Sequence, residues 1–224
     1  FEEYAEVKAS ASLILDAITS GRMPPWMPEP GCHPLTGIRS LAQEEIAVIS
    51  LWIEEGALEG DPAEYIPPEV LPTVELNEAN IEIEPVEGYI PDSAGPDDLR
   101  CLPLPYNFES DTYLSATEIL PGRKDWVHHA VIYRIEGDDF GSVEALDQAS
   151  PSVPGYPCFG GPGIQNYDLL GGWVPGAGPM VAPEGSAMKV EAGSRLILEI
   201  HYSGPVAVGT SGAEADLTRV QLWT

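Results

Sequence analysis

Positive charge is scarce in this chain: 10 Lys and Arg stand against 36 Asp and Glu among 224 residues, a formal net charge of −26. Nucleic acid and anionic membrane surfaces are therefore poor partners, and no nucleic-acid partner is expected. No run of about 18 apolar residues occurs, so no transmembrane segment is predicted. The first residues, FEEYAEVKAS, lack the basic start and apolar block of a signal peptide. Because the chain does not begin with Met, we expect a processed product or part of a longer protein.

Glycine and proline are abundant, with 23 of each, yet 43% of the residues are apolar. This combination indicates loop-rich β structure and not disorder. Charge divides the chain into three zones. Residues 1–66 are predicted to be a helical domain, residues 67–98 an acidic, Pro-rich linker without a single basic residue, and residues 99–224 a β domain.

Apolar residues recur at three- and four-residue steps between Phe1 and Ile18, which predicts one helix that ends at Gly21. A second helix is predicted to begin at a capping box over Ser40–Gln43 and to end at Gly56. Its apolar stripe comprises Ile46, Ile49, Trp52 and Ile53. Two such helices bury little, so this core needs a further element to complete it.

Short runs rich in β-branched and aromatic residues follow one another in the third zone: YLSATEIL, WVHHAVIYRI, SAMKVEA, RLILEIHYS and LTRVQLW. They predict a mainly β fold, an antiparallel, jelly-roll-like β-sandwich. A long Gly/Pro loop is predicted between Ser142 and Pro183.

Three of the four histidines lie in predicted strands: His128 and His129 in DWVHHAVIYRI, and His201 in LILEIHYSG. Neighbouring residues on a regular strand point to opposite faces, so the pair can share a metal ion only at a strand end or irregularity, which Pro121-Gly122 could provide. Three imidazoles suit copper or zinc and leave one coordination position open. Alternatively, one ring packs inside and the other lies in water. Zinc acting on a bound water lacks an identifiable acidic base.

Six motifs occur in order within residues 97–224: DTYLSATEILPG, VHHAVIYR, GYPCFGG, GGWVPGAGPMVAPEGSAMKVEAGS, LILEIHYSG and ADLTRVQLW. This order resembles the type II copper, ascorbate-dependent monooxygenases, which include peptidylglycine and dopamine hydroxylases. In that family the first of two sandwich domains holds one copper through a His-His pair and a His followed by Tyr. The resemblance implies His128, His129 and His201 as the ligands. The second copper domain has no match here, so hydroxylation cannot be completed by these residues alone.

The helical zone has a resemblance of its own, carried by EEYAEVKASASLILDAITSGRMPPWMPEPGCHPLTGIRSLAQEEIAVISLWIEEGALEGDPAEY. It resembles the C-terminal part of a c-type cytochrome domain that bacterial relatives fuse ahead of the copper domains. The Met of an MPPW-like segment can be the distal haem ligand there, which implies Met23. The CxxCH motif that attaches haem is absent, so haem c is expected only with an upstream segment. Otherwise Met23 and Trp26 would fill the space between the helices.

The three cysteines show no zinc-like CxxC spacing. A bridge between Cys101 and Cys158 would clamp the long loop to the sandwich, which an oxidising compartment allows. Cys32 remains an alternative partner of either, or a free thiol.

These observations lead us to expect an exported bacterial protein, periplasmic or extracellular, whose single copper ion passes electrons from an electron-donor or redox partner protein. With a second copper domain, the resemblance implies a copper-dependent monooxygenase. The alternative is a non-catalytic periplasmic structural or docking subunit of a larger redox or membrane-associated complex.

Overall fold

The computed structural model describes residues 3–25, 40–66, 76–92, 97–203 and 214–224. The chain divides into two compact units, Phe1–Val70 and Leu71–Thr224. None of the helices in the described residues has the length and apolar content needed to cross a membrane.

The first unit is helical, as predicted. Its helices are α1 (Tyr4–Ala9), α2 (Ala11–Thr19) and α3 (Gln43–Glu54), followed by a 3-10 turn at Pro62–Glu64. The single helix predicted up to Gly21 is divided at Ser10, whose backbone leaves the helical region (φ −98°, ψ 3°). The Tyr4 hydroxyl donates to the Ala57 carbonyl at 2.7 Å and connects α1 to the residues after α3. Among the described residues of this unit only Ile18 and Ala57 are buried apolar residues, so its core is small.

The predicted capping box at Ser40–Gln43 is wrong by two residues. Ala42 is the N-cap, with an extended backbone, and its N–H donates to the Glu45 carboxylate at 2.7 Å. Ser40 is therefore too far from the first turn to accept a hydrogen bond from it. Of the two hydrogen bonds of a capping box, only the one from the N-cap N–H to the Glu45 side chain forms. The predicted exit is confirmed, because Gly56 adopts the left-handed conformation with φ 98°.

The second unit is mainly β, as predicted. It contains eleven strands within the described residues, a helix α4 (Phe140–Gln148) and a 3-10 turn at Gly137–Asp139. The strands are β1 (Ile81–Ile83), β2 (Asp97–Asn107), β3 (Thr112–Leu114), β4 (Ala116–Leu120), β5 (Val127–Ile135), β6 (Tyr156–Pro157), β7 (Tyr167–Trp173), β8 (Met180–Val181), β9 (Met188–Val190), β10 (Arg195–Ser203) and β11 (Arg219–Trp223).

All strand pairs among the described residues are antiparallel. One sheet has the order β1-β11-β4-β8, a second has the order β6-β2-β10-β5-β7, and β3 pairs with β9. The two larger sheets enclose the main core, to which the first contributes Ile119, Val220 and Leu222 and the second Ile132, Leu198 and Ile200. The predicted antiparallel β-sandwich is confirmed.

The five-stranded sheet also carries a smaller core on its outer face. Phe140 and Val143 of α4 and Tyr156 of β6 pack there against Ile135 and Ile197. Strand β10 shows the underlying alternation: Leu198 and Ile200 face the main core, while Ile197 faces outward. His201 is four residues after Ile197 on the same strand, so its side chain also lies on the outer face.

A disulfide joins Cys101 in β2 to Cys158 after β6, with Cα atoms 5.8 Å apart, which confirms the predicted pairing. Its sequence separation is 57 residues. The chain-entropy model assigns a loop of this length about 4 kcal/mol of stabilisation. Cys32 lies outside the described residues.

The predicted loop between Ser142 and Pro183 is wrong, since it contains most of α4 and the strands β6, β7 and β8. Strand β7 was missed because it contains Gly171 and Gly172. A Cβ on Gly171 would lie 2.5 Å from Thr117 Oγ1, so glycine there permits a close approach of β4.

The predicted acidic linker, residues 67–98, also contains regular secondary structure. Its residues 81–83 form β1, which pairs with β11, and Tyr89 forms a bridge with Asp216. Part of the predicted linker thus forms the edge strand of a sheet.

Candidate metal centre

The three histidines meet at one end of the five-stranded sheet because β5 contains a bulge. His201 pairs with His129, but the next residue, Tyr202, pairs with Val127. His128 is the extra residue on β5, and an extra residue bends its strand and turns its side chain away from the regular alternation. The predicted irregularity is therefore present, at His128 itself and not at Pro121-Gly122.

The Nδ1 atoms of the three rings form a nearly equilateral triangle. The separations are 3.2 Å between His128 and His129, 3.3 Å between His128 and His201, and 3.3 Å between His129 and His201. A triangle with 3.3 Å sides has its centre about 1.9 Å from each corner (3.3/√3). This spacing is compatible with the usual metal–imidazole distance of about 2.0–2.1 Å, so the three nitrogens could hold one ion together.

A hydrogen-bonded cluster does not account for this geometry. Each Nδ1 either carries a proton or offers a lone pair, so at least two of three mutually contacting nitrogens have the same role. At least one of the three contacts is then unfavourable. A cation held by the three rings would remove this conflict, because each Nδ1 could then offer its lone pair to the ion. The three-histidine group can therefore hold a metal ion, as predicted.

Asp97, the first residue of β2, fixes the orientation of one ring. His201 Nε2 donates to Asp97 Oδ1 at 2.7 Å, and this hydrogen bond lowers the pKa of the Asp97 carboxyl. With the proton on Nε2, the Nδ1 lone pair of His201 is free to face the ion. A carboxylate behind a metal-binding histidine is the usual supporting arrangement.

The remaining rings differ in exposure. His128 is exposed and His129 half-buried. Burial, together with the charges of His201 and His128, lowers the pKa of His129. The neutral imidazole, which is the form that binds metal, is therefore favoured at His129.

A buried carboxylate lies on the same face as His201, two residues earlier on β10. Glu199 is 3% exposed; its Oε2 accepts from the Tyr133 hydroxyl at 2.8 Å and its Oε1 from the Gly160 N–H at 3.2 Å. Burial and this hydrogen bond raise the pKa of Tyr133, so the phenol remains a donor. Cys101 and Cys158 also lie near Glu199, but as a disulfide they offer no thiolate to a metal.

Sequence reasoning identified the histidines but neither Asp97 nor Glu199. The available signal for Glu199 was its interruption of the apolar run LILEI two residues before His201, a spacing that puts both on one strand face. Asp97 lies in the segment that its composition predicts to be a linker, and no local pattern indicates its pairing with β10.

Met23 belongs to the first unit, after α2, and is 53% exposed. Its role as a haem ligand and the alternative, in which Met23 and Trp26 fill the space between the helices, both stay predictions. Trp26 lies outside the described residues.

No protein-family model matches the chain, and no curated protein matches its sequence. The case for the metal centre therefore depends on the geometry of its residues.

Proposed function

We propose that this protein is a copper-binding redox protein whose three-histidine centre passes electrons, as in the first domain of the copper monooxygenases it resembles. The Nδ1 triangle of His128, His129 and His201 is the observation on which the proposal rests. Three imidazoles suit copper, and the exposure of His128 would give solvent or a partner access to an ion held there. A copper ion bound there would supply one-electron redox chemistry.

The other parts of the proposal follow from the same resemblance. Met23 would serve as a haem ligand in a protein that includes a CxxCH segment, and the electron donor would be that haem or a redox partner protein. The Cys101–Cys158 disulfide supports an oxidising compartment, and we propose that the protein is exported to the periplasm or beyond the cell. Hydroxylation would require a second copper domain.

Copper titration of the full chain tests the proposal. We expect one Cu(II) per chain with a type II electron spin resonance signal, and reversible reduction to Cu(I). Since loss of a supporting residue typically weakens metal binding 10–100-fold, loss of a ligand in His128→Ala or His201→Ala should weaken it by more than about 100-fold.

The matched control is His33→Ala, which removes the one histidine outside the triad. It should leave both the affinity and the spectrum unchanged. If His128→Ala bound copper as tightly as the wild type, the three-histidine copper site would be refuted. A bound copper that cannot be reduced would refute the electron-transfer function and favour a structural subunit.

A further inference from the structure

A cavity of about 420 Å³ adjoins the metal ligands His129 and His201. Its size falls in the range of small-molecule sites. Its other lining residues come from β2, β5, β10 and the segment after β6: Asp97, Leu99, Val131, Tyr133, Phe159, Gly160 and Glu199.

The walls of this cavity are largely apolar and partly aromatic. Leu99 of β2 and Val131 of β5 lie on the two strands that flank β10, and the ring of Tyr133 lines the same space. Phe159 is 87% exposed although it follows the disulfide-bonded Cys158. An aromatic ring held in water at the edge of a cavity suits a ligand that carries a flat apolar group.

Glu199 supplies a hydrogen-bond acceptor inside the cavity. Each of its oxygens already accepts one hydrogen bond, from Tyr133 or from Gly160, and each carboxylate oxygen has a further lone pair. A ligand that donates an O–H can therefore be accommodated without displacing either partner.

The charges around the cavity restrict the kind of ligand that it can bind. Glu199 and Asp97 repel an anion, as does the net charge of −26. A cationic group near Glu199 would lie beside a metal ion held by His129 and His201, and the two positive charges would repel. An uncharged ligand with an O–H donor is repelled neither by the carboxylates nor by an ion at the histidines.

We propose that this cavity binds a small uncharged phenol, with its ring against Phe159 and its hydroxyl donating to Glu199. This inference goes beyond the proposed function, and only the exclusion of cations rests on the metal site.

Isothermal titration calorimetry with 4-methylphenol, benzoate and benzylammonium tests the proposal on the full chain, metal-free and loaded with redox-inert Zn²⁺. We expect 4-methylphenol to bind both forms with a Kd on the order of 1 mM. Benzoate should bind neither form measurably, and zinc should weaken benzylammonium. A separate zinc titration reports on the metal site, so the metal-free arm tests the cavity even if that site fails.

Substitutions at Phe159 and Tyr113 test where 4-methylphenol binds. Phe159→Ala should weaken 4-methylphenol roughly threefold to tenfold, since one aromatic contact is lost. Tyr113→Ala, at a 56% exposed aromatic residue of β3 outside the cavity, should leave the affinity unchanged. Glu199→Gln should reduce the preference for 4-methylphenol over benzoate.

Three results would overturn the inference: no binding of 4-methylphenol, benzoate binding as tightly as 4-methylphenol, or equal affinities for Phe159→Ala and the wild type. Circular dichroism of each variant confirms that the fold is retained.

Discussion

Asp97 illustrates how one surface carboxylate can organise a metal ligand. Its hydrogen bond to His201 Nε2 sets the tautomer of that ring and holds the Nδ1 atom toward the other two histidines. The carboxylate also adds negative charge behind the ring, which makes the imidazole a better donor.

We therefore expect Asp97→Asn to weaken copper binding about 10-fold or more, because an amide keeps the shape but loses the charge. Competition with a copper chelator measures the change. Asp125→Asn is the control, since the Asp125 carboxylate pairs with Arg123 and not with a histidine. Equal weakening in both variants would show that overall charge, and not this hydrogen bond, sets the affinity.

At this scale the sequence alone indicates the three clustered histidines better than the carboxylates around them. A His-His pair and a third histidine in strand-like segments are rare enough to be noticed, and the family resemblance pointed to the same residues. Asp97 and Glu199 are two of 36 acidic residues; no local pattern distinguishes Asp97, and only the interruption of the apolar run LILEI marks Glu199. Their roles depend on the pairing of β2, β5 and β10, which brings together residues far apart in the chain.

Strand β7 depends on a glycine to reach its neighbour. Gly171 lies where a Cβ would meet Thr117 Oγ1 at 2.5 Å, while a Cβ on Gly172 would make only an ordinary contact with the Ala130 carbonyl at 3.6 Å. The two glycines are adjacent but face opposite sides of the sheet.

This difference predicts the outcome of two matched substitutions. Gly171→Ala should lower the free energy of unfolding by about 1–3 kcal/mol, since the added methyl group forces β4 and β7 apart. Gly172→Ala should change it little. Urea denaturation measures both, and similar losses in the two variants would contradict the proposed close approach.

Element prediction succeeded where β-branched residues dominate, as in β5 and β10, and failed where glycine or proline occurs within a strand. Strand β2 contains Pro103 and Pro105. Proline is normally absent from the interior of a sheet because it has no N–H to donate to a neighbouring strand. The register between β2 and β10 shifts between Arg195 and Ile197, opposite these prolines, and this irregularity accommodates them.

The whole chain divides into two compact units. Both apolar clusters of the described residues, the one between the sheets and the one beneath α4, belong to Leu71–Thr224. The disulfide and the three histidines belong to the same unit. Charge zones and residue patterns indicated a helical part and a β part, but the sheet pairing of residues 81–83 could not be predicted from an acidic, proline-rich composition.

We accordingly expect residues 71–224, produced alone under oxidising conditions, to fold and to bind copper with the affinity of the full chain. Circular dichroism and copper titration check this. A fragment that folds but binds copper at least tenfold more weakly would show that the first unit contributes to the metal centre.

The bulge at His128 also bears on how such a centre arises. Because the site depends on one extra residue in β5, the loss of a single codon would restore regular pairing and remove a ligand while leaving both sheets intact. Metal binding can thus be gained or lost in one genetic step, and descendants that share this sandwich need not share its chemistry.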